Sequence, residues 1–367
     1  MGKIRKQSII SAILIVATCL PLSAAPKTGH YNAIDGKSGQ DLFDAVHTIA
    51  KKNYTTLSYK GLWTAYLTTD LRSDKKIWDM YSDCEFEPTG KGIGKQCGNY
   101  SGECDCYNRE HSIPQSWFGG GTDNNTPGTD IFHVVPTDGF TNSKRGSYVL
   151  GETASGQAYG ICKLGNSSFS GYSGTVWEPA DEYKGDFARG YFGTLLRWAG
   201  DYQSFTTSPG NIIFSGNNTA SGNFGLTTYG VNLLLKWHRQ DPVSQKELDR
   251  NDGIEKTQGN RNPFIDYPQL AEYLWGNNKG QNVNLSTWKD AYGNGDNTSI
   301  EDIYGKDAIQ SRAGALQITL PKAEFVTIYN LVGNMVYANE TECATINLPQ
   351  GLYIVNIKGM IKKIIVQ

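Results

Sequence analysis

Between Tyr107 and Ser147 the chain sets His111 and His133, the carboxylate of Glu110, the amide of Asn142 and the cations Lys144 and Arg145 in a close order. Glu110 and His111 are adjacent. His111-Ser-Ile-Pro114 is followed by His133-Val-Val-Pro136 and then by Thr141-Asn-Ser-Lys-Arg145. Carboxylate and amide oxygens, here Glu110 and Asn142, suit a hard divalent cation. An imidazole such as His111 can take a proton from water, and the charge of Lys144 or Arg145 can offset a charged transition state. These are the groups needed to hydrolyse a phosphodiester with one metal ion.

The elements that carry them have to meet a geometric demand. Neighbours on a regular strand point to opposite faces, so Glu110 and His111 can serve one site only at a strand end or a bulge. Pro114 is consistent with the strand stopping there. Residues 76–135 read as strands and loops, including the Gly-rich run at 119–128. Around them, helices are expected over residues 38–52 with Ser38 as N-cap, over Leu57 to Leu71, over Asp186 to Tyr202 and over Val231 to His238. Phe187, Tyr191, Leu195 and Trp198 should form one apolar face of the Asp186 helix. Ser244-Gln-Lys-Glu247 is a capping box opening a helix that Gly259 should end.

The ordered residues resemble the endonuclease I family of secreted bacterial nucleases, whose site is a ββα-metal hairpin and helix. Glu110-His111-Ser112-Ile113-Pro114 is similar to that family's Glu-His pair. So are Asp130, Val134-Val135, Pro136, Gly139, Asn142 and Arg145. Asp186-Phe-Ala-Arg-Gly-Tyr-Phe192 and the run from Asp241 through Asp249-Arg250-Asn251 to Gln258-Gly-Asn-Arg-Asn-Pro263 add two more blocks. His133 and Arg261 stand where members often carry Asn and His. The resemblance implies a ββα-metal nuclease domain of mixed helices and short strands; with the small all-β sandwich read from the strands after it, the expected fold class is α+β. The resemblance also implies His111 as general base, Glu110 and Asn142 as ligands of Mg²⁺ (Ca²⁺ or Mn²⁺ being possible), and Arg145 at a phosphate. The ordinary roles compete with these: a helix N-cap for Asn142, a salt bridge for Arg145 and a hydrogen-bonded core histidine for His133. Arg189 is a weaker phosphate candidate, and Asn260 and Asn262 are expected to organise a turn.

At 367 residues the chain can hold more than one domain with a buried core. Residues 1–24 read as a signal peptide: Lys3, Arg5 and Lys6, an apolar run from Ile9 to Leu22, then Leu22-Ser23-Ala24. The apolar run is too short for the roughly 20 residues of a membrane span. Removing residues 1–24 takes the formal charge from −2 to −5. A mildly acidic protein does not hold nucleic acid by counterion release alone, so any positive potential must be local. Six cysteines remain, four of them, Cys84, Cys97, Cys104 and Cys106, just before Glu110. In an exported protein that clustering favours disulfides over zinc, with three pairings possible and Cys162 left unpaired.

The domain reading is 25–280 catalytic, 281–299 linker on its Asn, Gly, Asp and Ser content, and 300–367 a terminal β-domain. Short apolar strands from Leu316 onward read as a sandwich. Val326 to Gly333 and Leu348 to Val355 resemble the type IX secretion sorting domain. The expected function is a secreted, metal-dependent endonuclease acting on DNA and RNA with little sequence preference. An extracellular ribonuclease on the same site is the runner-up, and a surface adhesin or glycan-binding protein is the reading from another class. The expected partners are nucleic acid and the type IX secretion machinery, with no stable membrane insertion, and a monomer is the expected state.

Overall fold

A computed structural model of the chain describes residues 25–27, 29–88, 96–122, 126–200, 205–216, 223–292, 304–305, 307–312, 314–330, 334–357 and 360–366. The signal peptide expected at residues 1–24 lies outside them. α1 (Gly39–Lys51) follows Ser38 and buries Leu42, Phe43, Val46, Ile49 and Ala50 along one stripe. The Ser38 side chain makes no capping bond, so it is a cap by position only. α2 (Leu62–Thr69) is shorter than the run from Leu57 to Leu71 suggested. Residues 57–61 stay out of the helix, where the Tyr59 carbonyl accepts an arginine from the next element.

That element is β1 (Tyr107–His111), paired antiparallel with β2 (Val134–Asp138) in unbroken register from Tyr107↔Asp138 to His111↔Val134. α3 (Gly139–Arg145) leaves β2 without a loop. Asp138 makes the junction: its Oδ1 accepts the Thr141 N–H at 2.7 Å and its Oδ2 the Cys104 N–H at 2.8 Å. Strand, strand and helix thus occur in the expected order. A second sheet, of which the sequence reading had no account, runs β3 (Val149–Leu150), β6 (Thr175–Glu178), β5 (Cys162–Asn166), β4 (Gln157–Tyr159).

α4 (Lys184–Trp198) carries the expected face of Phe187, Tyr191, Leu195 and Trp198, and ends at Trp198 rather than at Tyr202. Its residues are buried nearly all round, because α1, α5 (Thr228–Gln240) and α7 (Pro263–Asp266) all pack on it. α6 (Gln245–Gln258) opens with both bonds of the Ser244–Glu247 capping box and ends at Gly259 in left-handed backbone, as the sequence indicates. α8 (Leu270–Leu274) completes the helical layer.

Two expectations about the C-terminal third need correcting. Residues 281–292 are no free linker. Gly36 N–H donates to the Val283 carbonyl, Val283 N–H donates to Lys37, Ala291 N–H donates to Asp266, and Trp288 is buried in the main core. Asn and Gly content marks irregular backbone, which here is packed irregular backbone. Residues 293–300 lie outside the described set. The terminal strands β7 (Ile309–Arg312), β8 (Ala315–Asn330), β9 (Met335–Asn347), β10 (Gly351–Ile357) and β11 (Met360–Val366) form one five-stranded sheet, not two facing sheets. β8 is long enough to pair β7 through Leu316 and Ile318 and β10 through Val326 and Ile328. A register shift between Thr319 and Glu324 breaks it in the middle, and β11 approaches β7, curling the sheet.

Candidate active site

β1 ends at His111 with no bulge, and the alternation of a regular strand holds to its last residue. Glu110 and His111 consequently turn to different neighbours. Glu110, 3% exposed, accepts the Tyr81 hydroxyl on Oε1 at 3.0 Å. The Arg145 Nε stands 3.4 Å from the same oxygen as a charge contact without hydrogen-bond geometry. Burial pushes the Glu110 carboxyl above its ordinary range, against the pull of Arg145 and Tyr81 toward the charged form.

His111, 7% exposed, places Nε2 2.9 Å from the Gly128 carbonyl. A carbonyl only accepts, so Nε2 carries the proton and Nδ1 keeps the lone pair. The contact depends on a glycine: a Cβ at Gly128 would fall 2.1 Å from the Gly121 carbonyl oxygen. Burial, then the neighbouring His133, push the His111 pKa down to about 3. The ring is therefore neutral at physiological pH. His133 hangs from the same turn, with Nε2 2.7 Å from the Pro127 carbonyl and its ring centroid 6.0 Å from that of His111. Its Nδ1 is buried without a hydrogen-bond partner among the described residues, and burial pushes its pKa to about 3 as well.

The strand end is clamped from α3 and α4. The Ser112 carbonyl accepts both the Arg145 Nη2 and the Tyr191 hydroxyl at 2.5 Å. Arg145 has no exposed surface, and its Nη1 donates to the Gly146 carbonyl at 3.1 Å. Its guanidinium is committed to Glu110 and the backbone. Asn142 is half-buried one turn before Arg145, on the same side of α3. Disulfides Cys84–Cys104 and Cys97–Cys106 brace the start of that helix. The first acts through the Cys104 N–H on Asp138. The second packs so closely that a Cβ at Gly139 would fall 2.4 Å from the Cys97 Sγ. Cys162 is buried and unpaired.

Arg189 holds no surface for a phosphate. It is buried and grips Glu247 through Nε and Nη2 at 2.5 and 2.8 Å. The last sequence block is likewise structural. Gln258 and Trp198 donate to Asp130, Asn260 donates to the Ala50 carbonyl, and the Asn262 side chain caps α7 and donates to the Arg189 carbonyl. Arg261 pairs with Asp252, Glu255 and Asp266. Tyr81, which orients Glu110, escaped the sequence reading because nothing local distinguishes it from twenty other tyrosines. Tyr191 lay inside a noted block but as a core residue.

Among the described residues no three His, Cys, Asp or Glu side chains gather as a metal cage. No described helix is long and apolar enough to cross a membrane.

Residues 39–269 match the family described as Endonuclease I. The chain is 34% identical over 254 residues to a protein named extracellular ribonuclease from Bacillus subtilis, covering 67% of this chain and 78% of that protein. It is 34% identical over 252 residues, with the same coverage, to an extracellular ribonuclease from Bacillus amyloliquefaciens. With its Glu-His strand end braced by the helix that follows the hairpin, this chain belongs to the endonuclease I family.

Proposed function

We propose that the protein is a secreted, metal-dependent endonuclease that hydrolyses phosphodiester bonds of DNA and RNA with little sequence preference. The observation that carries this reading is the hydrogen bond from His111 to the Gly128 carbonyl at the end of β1, one residue after the buried Glu110–Arg145 pair. It fixes the tautomer in which Nδ1 can take a proton from the attacking water. Tyr81, Arg145 and the clamped Ser112 carbonyl hold the strand end that presents this group. Glu110 and Asn142 would hold a Mg²⁺-type ion, which when bound supplies charge stabilisation at the phosphate. Arg145 enters as the counter-ion of Glu110. The family match and the names of the two relatives support a nuclease outside the cell. We assign the terminal sheet, which contains none of these residues, as an address for the type IX secretion machinery.

The names of both relatives favour RNA as a second reading on the same site. Degradation of plasmid and of RNA, each with Mg²⁺ and with EDTA, is the test. Loss of both polymers with Mg²⁺ alone is expected. Cleavage of RNA only selects the ribonuclease, and undiminished cleavage in EDTA removes the metal from the proposal. Glu110→Ala and Asn142→Ala are each expected to shift half-activation to higher Mg²⁺; a lower rate at saturating metal with unchanged half-activation takes that residue out of the ligand set.

A further inference from the structure

Arg109 differs from the arginines around it. Arg145, Arg189 and Arg261 are buried against carboxylates. Arg109 is half-buried and, among the described residues, has no carboxylate within ion-pair distance. Its guanidinium lies over two aromatic faces instead, 3.5 Å from the Tyr59 ring centroid and 4.4 Å from that of Trp63. Nη1 donates to the Tyr59 carbonyl at 2.7 Å, which fixes the plane of the stack. Trp63 is held from below, edge-on to Tyr107 at 5.3 Å.

This ladder leads to the candidate base. Arg109 and His111 are two apart on β1 and so lie on the same side of the strand, opposite Glu110. Tyr59 spans them. Its ring runs within 25° of the His111 ring at a centroid distance of 6.0 Å, and the Arg109 charge is among those that keep His111 neutral. Tyr59 and Trp63 are half-buried like Arg109. An unneutralised planar cation with two aromatic rings at its side suits a ligand that is planar and carries negative charge. An unstacked nucleotide is such a ligand: its base can stack and its phosphate is drawn to the cation.

We infer that Tyr59, Trp63 and Arg109 form a stacking subsite for an unpaired base next to the scissile phosphate, so that the preferred substrate is single-stranded nucleic acid. The inference rests on the nuclease reading above. Stacking is indifferent to base identity, because every base has a π face. A duplex keeps its bases stacked on one another and gains nothing at this subsite.

The test compares the intact protein with Tyr59→Leu and Trp63→Leu on two substrates: a single-stranded oligonucleotide and an oligomer of abasic tetrahydrofuran nucleotides of equal length. For the intact strand, each variant should raise KM about 10-fold, the scale of one lost base–aromatic stack, with kcat little changed. On the abasic oligomer, variants and wild type should have equal kcat/KM. Equal losses on both substrates would mean that the residues only support the fold or His111, and no loss on either would mean that no base stacks there. Both outcomes overturn the subsite while leaving the nuclease standing. Failure of the wild type to cleave either strand takes down the nuclease reading, and the subsite with it.

Discussion

The β1–β2–α3 unit and the terminal sheet are both antiparallel structures, yet they bury opposite kinds of residue. Along β8 the inward positions are Leu316, Ile318, Leu320, Val326 and Ile328, an apolar alternation interrupted only where the register shifts. In the hairpin and helix, Glu110, His111, His133, Asp138 and Arg145 are all buried. Burying charge is unfavourable unless each group has a partner, and each of these has one: a tyrosine, a carbonyl, a backbone N–H or an opposite charge. Two disulfides stand on this unit, and none of the described residues of the terminal sheet is in one.

Arg145→Gln should produce the largest effect in the polar unit. It leaves Glu110 buried without its counter-charge and strips a donor from the Ser112 carbonyl, so a loss of about 3–5 kcal/mol is expected. Urea unfolding measures it, and a loss near that of an exposed substitution would mean that Glu110 is not held by this pair. His111→Ala should leave the fold in place and lower the cleavage rate by at least about 10²-fold, the contribution of a positioned base. Near-normal turnover would pass that role to His133.

His133 sharpens the contrast through pH. Its folded pKa of about 3 lies below the ordinary 6.5, so the unfolded chain binds a proton between those values and the folded chain does not. Stability from this residue is therefore fully present above pH 6.5 and is lost as pH falls toward 3. Relative to wild type, His133→Gln should gain about 2 kcal/mol on going from pH 7 to pH 5. An unchanged difference between the two pH values would mean that His133 is charged in the folded state. The smallest effect should come from the other region. A chain ending at residue 298 keeps Trp288 and Tyr292 in the main body and should cleave at the wild-type rate, while failing to leave the cell. An insoluble or inactive product would make the terminal sheet part of the catalytic fold.

The helices were legible where spacing and caps agree: the stripe of α1, the Ser244–Glu247 box and the left-handed Gly259 are local signals that tertiary contacts did not disturb. The candidate site was proposed from an ordered set of residue types. α4 carries the expected face of Phe187, Tyr191, Leu195 and Trp198, and its polar face is buried too, with Arg189 against Glu247. One feature misled: residues 281–292 look like linker, but Val283 and Trp288 tie them down.

Sequence alone determined which groups stand close to one another along the chain: Glu110 beside His111, Asn142 a helical turn before Arg145, four cysteines upstream. Tertiary structure decided what each group faces. Which carbonyl takes the His111 proton, which tyrosine meets Glu110 and which rings lie against Arg109 depend on segments far apart in sequence, such as Tyr59, Tyr81 and Gly128. The reason is physical. Periodicity and capping are set by neighbours within about one turn or one pleat of the chain, whereas burial, tautomer and counter-charge are set by whatever the packed fold brings within a few ångströms.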